Sequence, residues 1–118
     1  MPNPTSDIAQ RTFNFSCDIV RLYRALKRLP EFPYDIARQI LRAGASVGAN
    51  VEEAQAPSTR KDFTARLVVA LREAREVKFW LRLIRATDLA PAHLTEKRLD
   101  ECDQLVAILT TSVKRLRE

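Results

Sequence analysis

Apolar residues return every three or four positions along this chain, in four stretches separated by prolines or short polar breaks. That period puts them on one face of an α-helix, which turns once in 3.6 residues. The first stretch, about 7–28, aligns Ile8, Phe15, Ile19, Leu22 and Leu26, with Arg21, Arg24, Lys27 and Arg28 opposite, and Pro30 and Pro33 break it. The second, about 34–55, aligns Ile36, Ile40, Ala43, Val47, Val51 and Ala54. Pro57-Ser58-Thr59 separates it from a third, about 59–86, that holds no glycine or proline. Ser58 or Thr59 can cap this third helix, and Thr59 with Asp62 forms a weak capping box. The fourth, about 91–117, carries Leu99, Cys102, Val106, Leu109, Val113 and Leu116 in steps of three and four. Four long amphipathic helices with short connections predict an all-α fold, an antiparallel up-and-down four-helix bundle forming one domain over residues 1–118. A helix-turn-helix reader fits less well, since it needs short helices and a tight turn before a recognition helix.

Two helices depart from a simple amphipathic pattern. The second contains Ala43-Gly44-Ala45-Ser46-Val47-Gly48-Ala49, an unusually small run. A glycine costs a helix interior roughly 1 kcal/mol relative to alanine. Two of them four apart point to close approach of another backbone on that side. The third helix is too apolar for one buried face. Phe63, Leu67, Ala70, Ala74, Val77, Leu81 and Ile84 form one stripe, and Val68, Val69, Phe79, Trp80 and Leu83 remain on another side. A helix that is apolar on two sides is buried on two sides. The surplus predicts an interface with further copies of the chain, with Val69, Phe79, Trp80 and Leu83 as its residues.

Charge sharpens the picture. Twenty Lys and Arg oppose fifteen Asp and Glu, a net of +5, and fifteen of the twenty are arginine. Residues 60–88 carry +4 of this, against +1 for residues 1–59 and zero for residues 89–118. Arg60, Lys61, Arg72, Arg75, Lys78, Arg82 and Arg85 fall within an arc of roughly 140° on an ideal helical wheel. Such a stripe can track a phosphate backbone, and arginine forks suit phosphate. The alternative is salt bridging to acidic groups such as Glu73 and Glu76.

Candidate chemistry is sparse. The one histidine, His93, lies near a helix start, and no Glu-x-x-His pair, Walker loop, Gly-x-Ser-x-Gly or GxGxxG occurs. Cys17 and Cys102 are far apart and form no metal motif, which favours a reduced, buried pair. The expectation is therefore a non-enzyme with no metal and no cofactor. No apolar run approaches the roughly 18 residues that span a bilayer, and Met1–Gln10 has no apolar signal core. These features point to a cytoplasmic protein with no membrane partner. Only two glycines are present, which disfavours a β-rich fold. Gln39, Arg42, Ser46, Asn50 and Glu53 run along one edge of the second helix. Their structural reading is an inter-helix network, with Ser46 and Asn50 bonding across the bundle and Arg42 meeting Glu73 or Glu76. A ligand site is the sharper alternative.

The stretch Gln39-Ile40-Leu41-Arg42-Ala43 and the block Ser46-Val47-Gly48-Ala49-Asn50-Val51-Glu52-Glu53-Ala54 resemble the central signature of the four-helix-bundle proteins encoded in 23S rRNA intervening sequences. Lys61-Asp62-Phe63, Leu67, Ala70, Glu73-x-x-Glu76 and the opening Phe13, Phe15 and Leu22-Tyr23 extend the likeness over about residues 11–110. The chain departs from it at Leu71-Arg72-Glu73, where many members have a small Gly-Ser step. The resemblance implies a homopentamer around a central channel. A related branch, the accessory variability protein of diversity-generating retroelements, binds nucleic acid and associates with a reverse transcriptase. The combined expectation is an oligomeric bundle that binds RNA or DNA through its basic residues. The alternative is an oligomeric scaffold or accessory subunit with a protein partner and no nucleic-acid binding of its own.

Overall fold

The computed structural model describes residues 4–56 and 58–118, which form α1 (Pro4–Lys27), α2 (Tyr34–Ala54), α3 (Arg60–Ala86), a 3₁₀ turn (Ala92–Leu94) and α4 (Glu96–Leu116). Met1–Asn3, the start of the segment without an apolar signal core, and Pro57, in the expected break between the second and third helices, lie outside the described residues. Consecutive helices pack side by side into an up-and-down bundle 46 × 26 × 21 Å across, with no strand among the described residues. The rod closes through ion pairs between α1 and α4. Arg11 meets Glu101 at 2.8 Å and Arg98 meets Asp18 at 2.9 Å.

The core follows the expected stripes with small shifts. Phe15, Ile19, Leu22 and Leu26 of α1, Ile40, Val47 and Val51 of α2, Val77, Leu81 and Ile84 of α3, and Leu105 and Leu109 of α4 are all buried. Leu105 is buried where the pattern pointed to Val106, and Leu71 is buried toward α4, while Ile8, Ile36, Phe63 and Leu116 are half-buried. Cys102 is buried, its Sγ 3.2 Å from the Ala74 carbonyl oxygen. Burial pushes that thiol up to about 12. Cys17 is only half-buried, and both cysteines are free.

Local sequence sets the ends. Thr59 caps α3 by accepting a hydrogen bond from the Asp62 backbone N–H at 3.1 Å. At the other end Asp88 takes φ 53°, the Leu89 N–H donates to the Ile84 carbonyl, and the Asp88 N–H donates to that of Arg85. This is a Schellman stop made without glycine. Pro91 and the 3₁₀ turn delay α4 to Glu96, so the fourth helix starts five residues later than its sequence pattern.

The two glycines do mark a close approach. A Cβ on Gly44 would lie 2.7 Å from Ile19 Cβ, and one on Gly48 would lie 3.1 Å from the Thr12 carbonyl oxygen. Between them the Ser16 hydroxyl enters the α2 backbone ladder. It donates to the Gly44 carbonyl at 2.7 Å and accepts from the Gly48 N–H at 3.0 Å. A hydroxyl bridging a helix's own donor and acceptor locks α1 to α2 in one register.

Candidate nucleic-acid interface

α3 lies between α2 and α4, and its two flanks differ. On the α2 side the charges are paired. Arg42 reaches Glu73 at 3.1 Å and Glu76 at 2.6 Å. The Glu76 carboxylate also accepts the Trp80 indole N–H at 3.1 Å. Burial pushes the Glu76 carboxyl up, but the hydrogen bonds from Trp80 and Arg42 outweigh it and hold the group below its usual value. The hydrogen bond to Glu76 in turn raises Arg42. Asn50 donates to the Ser46 hydroxyl and carbonyl, both at 2.9 Å and within α2, while Arg66 of α3 reaches its Oδ1 at 3.4 Å. The cross-bundle partner of Asn50 is thus Arg66, because Ser46 and Asn50 are one turn apart on the same face.

On the α4 side and outward the cations are mostly free. Arg60, Lys61, Arg72, Arg75, Arg82 and Arg85 are exposed, and none has a carboxylate within 4.0 Å among the described residues. Lys78 is the exception, with its Nζ 2.8 Å from Asp103. Arg60 donates to the Leu116 carbonyl at 3.1 Å, tying the start of α3 to the end of α4. That tie brings in two cations missing from the sequence-derived site, Lys114 and Arg117. Arg60, Lys61, Arg72 and Arg117 surround a groove of about 640 Å³ whose walls include Ala65, Val68, Val69 and Leu116. Arg72, Arg75, Lys114 and Arg117 line an adjoining groove of about 280 Å³ with Val68, Leu71 and Val113. The signal for Lys114 and Arg117 was hidden by a zero net charge. In residues 89–118 most acids lie at 96–103 and all the bases but Lys97 and Arg98 lie at 114–117.

Of the surplus apolar side chains of α3, Val68 and Trp80 pack against the core from its edge, and the others reach the surface. Phe79 is 54% exposed and Val69 36%, while Leu83 and Trp80 are half-buried. Phe79 meets Trp80 edge-on, with ring centroids 5.3 Å apart. A second apolar region lies between α1 and α2, where Phe13, Cys17 and Val20 flank Ala45 and Ala49. Among the described residues no group of three or more His, Cys, Asp or Glu could hold a metal ion. No helix among them is long and apolar enough to cross a membrane.

Fold and surface together define an up-and-down four-helix bundle whose third helix has one paired and one mostly unpaired basic flank. Residues 5–111 match the model of the 23S rRNA-intervening sequence protein family, and the chain belongs to that family. It is also similar to a protein of unknown function from the S23 ribosomal protein family of Bacteroides thetaiotaomicron, solved at 1.70 Å. The two share 31% identity and a TM-score of 0.84 over 91% of this chain and 98% of that one. No curated protein matches the chain.

Proposed function

We propose that this chain is a non-enzymatic, cytoplasmic, self-associating bundle that binds nucleic acid, RNA first, through the open flank of α3. The observation that carries the reading is the split in charge pairing. A helix surface whose arginines served only internal salt bridges would show carboxylates beside them, as Arg42 has. Arg60, Lys61, Arg72, Arg75, Arg82 and Arg85 lack such partners and so stay available to phosphate, Arg60 less one donor given to the Leu116 carbonyl. Lys78 adds less, because Asp103 neutralises it.

Self-association rests on Phe79, Val69 and Leu83, an apolar stripe beside the basic one, with Trp80 supporting Phe79 from below. The homopentamer of the family resemblance is the assembly this reading adopts. Repetition of the basic flank around a ring multiplies the phosphate contacts. Native mass measurement at low salt, with and without a labelled RNA, tests both halves. The expected result is an oligomer that gains the mass of RNA. Phe79→Asp is expected to leave a folded 13.5 kDa monomer. A wild-type chain that stays monomeric, or an oligomer that takes up no RNA, contradicts the corresponding half. The exposed Phe13 and Val20 beside α2 favour one second reading, an oligomeric scaffold for a protein partner. It gains if RNA binding fails.

A further inference from the structure

We propose that the groove between the N-terminal half of α3 and the last turns of α4 seats an unpaired nucleic-acid strand, with Arg72 and Arg117 on its phosphates and the Val68–Leu116 floor under a base. This rests on the nucleic-acid reading and adds a location and a strand state to it.

Three observations converge. Arg72 and Arg117 line both adjoining grooves, so they stand where the two spaces meet. Cations come from both walls: Arg60 and Lys61 from α3, Lys114 from α4. Basic residues at the end of α4 have a local reason, since the C-terminus of a helix carries partial negative charge. Arg60 already answers part of that charge by its bond to the Leu116 carbonyl. The helix end does not explain why Arg72, about three turns further along α3 than Arg60, joins the same rim.

The floor decides the strand state. Ala65, Val68 and Leu116 give the larger groove an apolar base, and its volume of about 640 Å³ is that of a small-molecule site. A duplex turns its sugars and phosphates outward and keeps its bases stacked inside. Pressing that polar exterior on an apolar floor would remove water from phosphates with no return. An unpaired strand can turn a base face onto the floor while its backbone follows the cations on the rim. That is the division of labour in sequence-tolerant single-strand binding.

Fluorescence anisotropy on the full chain tests the proposal. The probes are a labelled 12-nucleotide RNA without self-pairing and the same RNA annealed to its complement, both at low salt. The wild type is expected to bind the single strand at least tenfold more tightly than the duplex. Lys114→Gln/Arg117→Gln should weaken single-strand binding about tenfold and lower the salt slope by one to two units, with helicity unchanged. Ala65→Gln, which fills the floor without charge, should erase most of the single-strand preference, while Arg21→Gln/Arg24→Gln, exposed on α1, should keep it. Equal or tighter duplex binding overturns the strand assignment and leaves the nucleic-acid reading intact. Single-strand binding that ignores Lys114, Arg117 and Ala65 moves the site elsewhere. Failure of both probes to bind overturns the underlying reading as well.

Discussion

The two flanks of α3 are lined by arginines of opposite circumstance. Toward α2, Arg42 is held by two carboxylates, one of them also fixed by Trp80, and Arg66 leans on Asn50. Toward α4 and solvent, Arg72 and Arg75 stand over grooves with only other cations for company. An arginine that bridges two helices contributes to stability and register. One that stands among like charges costs the monomer a little self-repulsion. The unpaired cations of the open flank are the ones that the proposed reading assigns to a polyanion.

The largest expected effect breaks the paired flank. Arg42→Glu puts a third carboxylate beside Glu73 and Glu76, and should cost about 1–2 kcal/mol in urea unfolding. Arg75→Glu on the open flank should fall within about 0.5 kcal/mol of wild type or stabilise it. Equal costs would erase the distinction between the flanks.

Acid sharpens it. Glu76 sits below the usual carboxylate value of 4.5 in the folded chain, so it binds protons less readily there than when unfolded. Its contribution is fully present above that value and is lost as pH falls through the folded one. Glu76→Gln, which keeps an acceptor for Trp80, should flatten the acid limb of a stability–pH profile. An unchanged limb would remove Glu76 from the clamp.

A further effect, apart from both flanks, concerns backbone. Glu31 adopts φ 64° in the α1–α2 connection, a left-handed conformation in which a side chain is strained. Glu31→Gly should stabilise by about 0.5–1 kcal/mol in thermal melts and leave RNA affinity unaltered. Destabilisation would mean that the Glu31 side chain makes a contribution its geometry does not reveal.

Much of the architecture was legible because periodicity reports burial directly. Ile19, Val47, Leu81 and Leu109 fall where a 3.6-residue repeat puts them. Gly44 and Gly48 announced a close approach on their side of α2, since helices rarely carry such costs without a packing reason, but not that α1 makes it. Leu71 and Leu105 were not assigned to the core, because they lie at the edge of a stripe, and which edge is buried depends on the neighbouring helix. Nothing local in Ser16 foretold its entry into the α2 ladder. Within the site, the α3 arginines could be read from one helix wheel. Lys114 and Arg117 could not, because they reach the groove only through the packing of α4 against α3.

The most direct measurement is the slope of log RNA affinity against log salt for wild type and for Arg72→Glu/Arg75→Glu. Displaced counterions give the wild type a steep negative line, and the double variant should lose affinity at every salt and flatten by about one to two units. Superimposed lines for the two proteins would contradict the account.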